Sequence, residues 1–385
     1  MATYRFGDIC EVLNGRAYKQ SELLSKGKYP ILRVGNFFSS DRWYYSDMEL
    51  PENKYCDYED LHFAWSASFG PKIWDGGKVI YHYHIWKLLP NDEVVDKFYL
   101  YYWLLNSVNR LTAGTHGSVM AHMTKGDMES QVIELPSLQI QKKISSVLRT
   151  IDEKISINET INNNLQQQAR LLFQSWFVNY EPFGGEAPSD WQQTTLGQIA
   201  LLKTNSWSPA KNPNVMVEHY SIPSFDEKQY PVFEIASGIK SNKYILTPDS
   251  VMISKLNPET KRIWRPLCLS DHPVASTEFI IYEAKKKGQR DFVYSIIDSR
   301  PFFNYLCSHT TGSTNSRQRA TPKTTLNFPV IMPPDGLIAE FCNIVTPMYE
   351  LISNNLIENQ LLAETRDSLL PRLMSEELDV SNIQI

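Results

Sequence analysis

Apolar residues recur at heptad spacing between Pro136 and Trp176, with polar residues between them and no Gly or Pro after Leu138. Two interleaved series share this spacing and differ by four positions. The first contains Ile144, Ile151, Asn158, Leu165 and Leu172, and the second contains Leu148, Ile155, Asn162, Ala169 and Trp176. This pattern is typical of the seam of a coiled-coil helix. Such a helix would extend roughly 60 Å, which is too long for an ordinary surface helix.

A second copy of the pattern lies near the end of the chain, with Pro333 at the place of Pro136. Without gaps, its first series contains Phe341, Met348, Asn355, Leu362 and Leu369, and its second contains Val345, Ile352, Asn359, Arg366 and Leu373. The asparagines therefore occupy the same seam positions in both copies. An Asn in an apolar seam costs stability unless a polar group faces it, so it usually fixes register and partner.

We predict that the two helices pair antiparallel within the chain. This register places Asn158 opposite Asn359 and Asn162 opposite Asn355, so each buried amide meets another amide. The alternative is two unrelated amphipathic helices, each in its own core, and a structure with Asn158 far from Asn359 would favour it.

Two stretches with mixed strand and helix signals precede the helices. Short aromatic and β-branched runs separated by turn residues indicate strands in each. GKVIYHYHIWKLLP at 77–90 is one of these runs, and His82 and His84 alternate along a predicted strand, so both are expected to face the same side. Helices are expected at Asp96–Leu111 and Asp291–Cys307. Leu196-Gly197-Gln198-Ile199 repeats the pattern of Phe6-Gly7-Asp8-Ile9. The second stretch therefore replays the first in outline.

The fold class that follows is α/β (α+β), with two globular domains separated by two long helices in an antiparallel coiled coil and a pseudo-twofold internal repeat. The expected boundaries are a first globular domain at 1–134, a long helix at 135–178, a linker at 179–193, a second globular domain at 194–331, a second long helix at 332–376 and a C-terminal tail at 377–385.

Charge is unevenly distributed in this chain of 385 residues, whose formal net charge is −5. Basic side chains are in excess in the second globular domain, which makes it able to meet phosphate, and acidic ones are in excess in the last helix and tail. The five cysteines are scattered without a C-x-x-C pair, so they are expected to be reduced thiols with no metal site. With no long apolar run and no signal-peptide pattern at the first residues, a cytoplasmic protein is expected.

Several stretches resemble the specificity subunits of type I restriction-modification systems. LPSLQIQKKISSVLRTIDEKISINETINNNLQQQARLLFQSWF is similar to their first conserved region, and PVIMPP through LLPRLMSEEL to their second. RVGNFF, GGKVIYHYHIWKL and GSVMAHMTKGDME resemble recurrent elements of their target-recognition domains. The resemblance covers nearly the whole chain.

This resemblance implies a non-catalytic subunit that reads an asymmetric, bipartite target in double-stranded DNA, one half through each target-recognition domain. The long helices would set the gap between the half-sites. Such subunits dock two copies of an adenine methyltransferase subunit and, in some complexes, two motor-nuclease restriction subunits. S-adenosylmethionine, ATP and Mg²⁺ would then belong to the partner subunits. The absence of a phosphate-binding loop, of G-x-G-x-x-G and of an adenine-methylase motif agrees with a chain that binds no cofactor itself.

Two Gly-Ser loops precede the long helices at equivalent places and are the best candidates for contact with DNA. They combine phosphate-binding side chains with amide and guanidinium groups that can pair with base edges. The candidates are His116, Ser118, His122 and Lys125 in the first loop, and Ser313, Asn315, Arg317, Gln318, Arg319 and Lys323 in the second. The alternative for each residue is an ordinary solvated loop.

The sequence leaves two other interpretations open. Pro248-Asp249 followed by Glu259-Thr260-Lys261 fits the permissive P-D…E-x-K pattern of metal-dependent nucleases, but the first domain has no counterpart. The other is a structural scaffold that assembles protein subunits through its coiled coil without reading DNA sequence.

Overall fold

The computed structural model describes residues 1–38, 42–66, 68–112, 123–311 and 318–383. The chain divides into two compact units, one formed by Met1–Lys154 with Leu362–Ile385 and the other by Ile155–Leu361. Each unit contains one globular domain and a part of both long helices.

The first domain contains ten strands and four short or medium helices among its described residues. The strands are β1 (Ala2–Arg5), β2 (Cys10–Asn14), β3 (Tyr29–Leu32), β4 (Tyr44–Ser46), β5 (Tyr55–Cys56), β6 (Leu61–Ser66), β7 (Ser68–Ile73), β8 (Val79–Tyr81), β9 (Ile85–Pro90) and β10 (Val132–Leu135). The helices are α1 (Phe6–Ile9), α2 (Val34–Phe38), α3 (Lys97–Thr112) and α4 (Lys125–Glu129).

Two four-stranded sheets form this domain. One is antiparallel with the order β2-β9-β6-β7, and the other has the order β4-β3-β8-β5 with β3 and β8 parallel. The domain is closed by an antiparallel pair between its first and last strands, β1 and β10. Its main core joins Phe6, Phe63 and Trp86 to Tyr99 and Leu100 of α3, all of them buried.

The second domain follows α5, the first long helix (Leu138–Phe177). Its strands are β11 (Gln192–Thr195), β12 (Ala200–Leu202), β13 (Ser206–Trp207), β14 (Met216–Tyr220), β15 (Val232–Ile235), β16 (Lys243–Ile245), β17 (Ser250–Ser254), β18 (Ile263–Trp264), β19 (Pro273–Ser276), β20 (Phe279–Ala284), β21 (Thr310–Thr311), β22 (Arg319–Ala320) and β23 (Pro329–Met332). Its helices are α6 (Leu196–Ile199), α7 (Ile222–Lys228), α8 (Arg290–Asp298), α9 (Arg300–Ser308) and α10 (Pro322–Thr325), and the second long helix is α11 (Asp335–Met374). Single 3₁₀ turns lie at Gln20–Glu22, Glu52–Lys54, Glu181–Phe183, Pro209–Lys211 and Ala236–Gly238.

The internal repeat is visible in the strand order. The sheet β12-β20-β17-β18 matches β2-β9-β6-β7, and β11 pairs with β23 as β1 pairs with β10. The five-stranded sheet β13-β16-β19-β14-β15 again has one parallel pair, β14 with β19. A close approach is repeated as well. A Cβ atom on Gly7 would lie 3.0 Å from Glu129 Cβ beside α4, and one on Gly197 would lie 3.1 Å from Leu326 Cβ beside α10.

Both long helices contain 40 residues and carry no interruption. In the first unit, Ile144 and Leu148 of α5 share a buried cluster with Leu370 and Leu373 of α11. In the second unit, Phe173 packs against Phe341 with 5.9 Å between ring centroids. Within each unit the later part of one helix therefore meets the earlier part of the other, and the predicted antiparallel pairing is observed.

Two predicted elements differ from the structure. His82 and His84 do not lie along one strand, because β8 ends at Tyr81 and β9 begins at Ile85 in a different sheet. The amide of Ile85 donates to His82 O (2.9 Å), so residues 82–84 form a turn. The expected helix at Asp291–Cys307 is broken between α8 and α9. Pro301 lacks the N–H that a continuous helix would need there, and Ser299 caps α9 by accepting from the amide of Phe302.

Among the described residues, no helix combines the length and the apolar character needed to cross a lipid bilayer.

Candidate nucleic-acid interface

A short β-ribbon carries the second candidate loop. Strand β21 pairs antiparallel with β22, with Thr311 opposite Arg319. The loop residues between these strands include Ser313, Asn315 and Arg317, which lie outside the described residues. The two strands, called the ribbon below, fix where the loop leaves and re-enters the second domain.

Three segments that are distant in the sequence lie side by side at the base of this loop. The amide of Ala320 in the ribbon donates to Lys255 O, and the amide of Asn257 donates to Gln318 O. The N···O distance is 2.9 Å in each bond. On the other side, the amide of Lys255 donates to the carbonyl of Glu278 with an N···O distance of 2.9 Å. Glu278 belongs to the turn between β19 and β20. The segment 255–257 therefore ties the ribbon to this turn.

Arg319 and Glu278 join the outer two of these segments through their side chains. Arg319 Nε donates to Glu278 Oε2 at 3.0 Å, and Arg319 Nη2 donates to Glu278 Oε1 at 3.2 Å. These bonds raise the pKa of Arg319 above its ordinary value. The side chain of Arg319 remains 49% exposed, so the paired guanidinium still faces solvent. The sequence predicts Arg319 as a candidate for DNA contact but does not indicate Glu278. The two residues are far apart in the sequence, so no local pattern links them.

The remaining described candidates of the second loop have different environments. Gln318 is half-buried and its carbonyl is used by Asn257, whereas Lys323 is exposed on α10. Helix α10 is anchored because Tyr282 donates its hydroxyl to Thr325 Oγ1 at 2.6 Å in the core. Lys323 is thus an accessible cation on a fixed support.

The first candidate loop ends at an equivalent helix. His116, Ser118 and His122 lie outside the described residues. Lys125 opens α4, whose N-terminus is capped by reciprocal hydrogen bonds between Thr124 and Asp127. Lys125 Nζ lies 3.3 Å from Glu129, one helical turn later. Helices α4 and α10 both lie beside a closely approached glycine, Gly7 and Gly197, so the described residues that follow the two loops have matching surroundings.

The turn equivalent to that of Glu278 has different chemistry in the first domain. Its residues are His82, Tyr83 and His84, between β8 and β9. Trp65 Nε1 donates to Tyr83 O at 2.8 Å, and the rings of Tyr83 and His84 lie 3.9 Å apart. Burial, aided by His84 and Arg33, lowers the pKa of His82 to about 4, which leaves its ring neutral near pH 7. The first domain thus has an aromatic turn where the second domain has a turn that carries Glu278.

The seam asparagines meet as the heptad register predicts. Asn158 Nδ2 donates to Asn359 Oδ1 at 2.8 Å and to Glu358 Oε2 at 2.7 Å. Asn355 Nδ2 donates to Asn162 Oδ1 at 2.8 Å. The one basic seam residue, Arg366, also finds a partner, because its Nη1 donates to Asp152 Oδ1 at 2.7 Å.

Comparisons with known proteins bear on this arrangement. Residues 1–167 match the family described as the type I restriction modification DNA specificity domain. The chain is 25% identical over 317 residues to the type I restriction enzyme MjaIX specificity subunit of Methanocaldococcus jannaschii, covering 77% of this chain and 72% of that one. It is 22% identical over 363 residues to the HindI specificity subunit of Haemophilus influenzae, covering 75% of this chain and 79% of the relative. These matches make the chain similar to the specificity subunits of type I restriction-modification systems.

The fold of the chain is similar to that of a solved structure. The S subunit of a type I restriction-modification system from M. genitalium superposes with a TM-score of 0.58 at 16% sequence identity, covering 97% of this chain and 95% of that one. At this level of identity the likeness is one of fold.

An apolar stripe runs along one flank of the paired long helices. With Ile155, Asn162 and Ala169 at heptad position a, every large apolar residue exposed on either long helix falls at position c or g. These residues are Ile157 (55% exposed), Ile161 (37%), Leu171 (55%), Ile344 (38%), Leu351 (44%) and Leu361 (58%). We call them the c/g stripe. All six belong to the second unit.

The opposite flank, at positions b and e, holds the second domain. Arg170 of α5 donates to Asp298, and Thr346 of α11 donates to Asp291 Oδ2 at 2.7 Å. Asp291 also accepts from Arg265, whose Nη1 reaches Ser353 Oγ at 3.1 Å. One flank of the paired helices therefore packs against the second domain, and the exposed c/g stripe lies on the opposite flank.

Several basic side chains outside the two loops are held in ion pairs. Arg16 pairs with Glu22, Lys78 with Glu52, Lys203 with Glu283, Lys261 with Asp298 and Arg262 with Asp226. In the nuclease-like pattern, Lys261 Nζ lies 2.6 Å from the buried Asp298, so its ammonium is held in a structural ion pair. Within the described ranges, no group of three or more His, Cys, Asp or Glu side chains has the spacing of a metal site.

Proposed function

We propose that this chain is a specificity subunit that reads an asymmetric, two-part sequence in double-stranded DNA, one half with each globular domain, and contributes no catalytic group. The observation that carries this proposal is the pairing of a repeated scaffold with different surface chemistry. The supporting helices and strand orders correspond in the two domains, but Tyr83 and two histidines form the turn that is equivalent to the turn of Glu278 in the other domain.

Such a division suits bipartite recognition. A common scaffold presents its loop to the groove in the same way in each half-site, and differing side chains then select different bases. Affinity would come mainly from Lys and Arg contacts to phosphates, so it should fall steeply with salt. The excess of basic residues in the second domain supports this source of affinity.

The catalytic work belongs to partner subunits in this proposal. Two copies of an adenine methyltransferase would dock on the specificity subunit, with S-adenosylmethionine bound by those subunits. Motor-nuclease subunits that use ATP and Mg²⁺ would join where a restriction complex forms. The c/g stripe supports docking, because an apolar flank beside a packed one is suited to cover by helices of another chain.

The decisive experiment is co-expression of this chain with its neighbouring methyltransferase gene, followed by mapping of methylated adenines by long-read sequencing. One asymmetric, two-part motif with a modified adenine in each half is the expected result. A stable complex that adds no methylation would overturn DNA reading.

The c/g stripe also favours a second candidate function, a scaffold that assembles protein subunits without reading DNA sequence. DNA binding measured with the methyltransferase subunit present separates the two functions. A specificity subunit gives sequence-dependent binding, whereas a scaffold gives the same weak binding for every sequence. The isolated chain is a poorer reagent, because the acidic last helix offsets the basic second domain.

A further inference from the structure

The hydrogen bonds from Arg319 to Glu278 use only one edge of the Arg319 guanidinium. Glu278 accepts hydrogen bonds from the single N–H of Nε and from one N–H of Nη2. An arginine carries five N–H donors in a rigid plane, so the edge formed by Nη1 and the second N–H of Nη2 is not used by Glu278. Two parallel N–H groups on one edge match the O6 and N7 acceptors of guanine in the major groove.

Both ends of this pair are fixed to the same backbone segment. Arg319 lies in β22, next to Ala320, whose amide bonds to Lys255 O. Glu278 is held through its own carbonyl by the amide of Lys255. The carboxylate therefore acts from a fixed position, and the long arginine side chain loses freedom before any ligand binds.

We propose that Glu278 is a positioning residue for base readout, which holds Arg319 so that its Nη1–Nη2 edge meets a guanine in the second half-site. This inference rests on the proposed function and names one of its contacts. It assigns Glu278 a role in specificity, although its negative charge alone would oppose DNA binding.

A phosphate contact by Arg319 would lead to a different expected result. If Arg319 contacted a phosphate, Glu278 would only subtract charge, and its neutralisation would strengthen binding to all sequences. If Arg319 reads a base, removal of Glu278 frees the guanidinium to rotate, and discrimination at one base pair falls. The direction of the change therefore separates a positioning residue from a competing charge.

The test uses the full complex with the methyltransferase and compares Glu278→Gln, Glu278→Asp and the wild-type chain by genome-wide mapping of methylated adenines. Gln keeps the shape but can accept only at its one oxygen, and Asp keeps the charge on an arm shorter by one methylene. Both variants are expected to relax one guanine position of the second half-site by about tenfold and to leave the first half-site unchanged. Asp226→Asn is the matched control, because Asp226 accepts two bonds from Arg262 in the same domain.

Several outcomes would overturn the inference. An unchanged motif in Glu278→Gln, wild-type behaviour of Glu278→Asp, or stronger methylation at all sequences would each do so. A complex that no longer assembles would make Glu278 a structural residue and would also overturn it. Failure of the proposed function looks different, because the wild-type complex would then methylate no two-part motif.

Discussion

Asn158 and Asn359 share a hydrogen bond of 2.8 Å between their side-chain amides, in the middle of an otherwise largely apolar helix seam. Asn158 is 1% exposed, and its Nδ2 serves both Asn359 and Glu358 as a donor. The second pair is less well satisfied, since Asn162 Nδ2 is buried without a hydrogen-bond partner in the part of the chain that the structure describes. Buried amides of this kind lower the stability of a helix seam, but they fix one register of the two helices.

Asn158→Asp should therefore destabilise the paired helices. The substitution keeps the shape but replaces the shared donor with a carboxylate oxygen that faces Asn359 Oδ1 and Glu358 Oε2. We expect the free energy of unfolding to fall by about 2 kcal/mol, measured by urea denaturation at pH 7. Asn164→Asp on the exposed surface of the same helix is the control and should change it little. Equal stability of both variants would contradict the role of Asn158 in the seam.

The heptad series was sufficient to predict this contact because a seam fixes every residue along two helices at once. The strand content and the repeat of Phe6-Gly7 in Leu196-Gly197 could likewise be predicted, since each is a local pattern. The contact between Glu278 and Arg319 could not, because three separate segments must fold before the two side chains meet. The c/g stripe did have a sequence signal, as Ile157 and Ile161 occupy flanking heptad positions. Only the structure distinguishes that flank from the one covered by the second domain.

His62 should make stability depend on pH. Its side chain is fully buried in the first domain, and burial lowers its pKa from 6.5 to about 4. The unfolded chain therefore binds a proton that the folded chain refuses between these pH values. The stability that neutral His62 allows is fully present above pH 6.5 and is lost as the pH falls toward 4.

His62→Gln removes this contribution because an amide does not titrate. We expect the wild-type chain to lose roughly 3 kcal/mol more than the variant between pH 6.5 and 4, measured by urea denaturation across this range. His82, whose pKa is also lowered to about 4, titrates in both chains and cancels in the difference. Substitution of the exposed His272 is the control. Parallel pH profiles for the wild-type chain and His62→Gln would refute the assignment.

Charge placed on the c/g stripe should weaken assembly without unfolding the chain. Ile157 and Leu361 are more than half exposed, so an Asp at either position costs little in the free subunit. Covered by a partner helix, the same carboxylate would be desolvated without a counter-charge. We expect Ile157→Asp and Leu361→Asp to lower the affinity for the methyltransferase subunit by about tenfold or more, measured by calorimetry. Leu269→Asp, an exposed apolar site in the second domain, is the control, and unchanged affinity in all three variants would exclude the stripe as the docking surface.

Arg319→Ala should impair recognition of the second half-site alone. The substitution removes the guanidinium at the base of the second loop, and Arg317→Ala is expected to act on the same half. We expect discrimination at one base pair to fall about tenfold in the genome-wide methylation pattern, with the first half of the motif unaltered. Lys125→Ala in the first domain is the mirror variant and should change only the first half.

The salt dependence of binding shows what Arg319 touches. A lost phosphate contact weakens binding to all sequences about equally and lowers the salt slope by about one. A lost base contact instead relaxes the sequence preference at one position. Equal loss at both half-sites in Arg319→Ala would contradict the modular reading, because the ribbon that holds Arg319 belongs to the second domain alone.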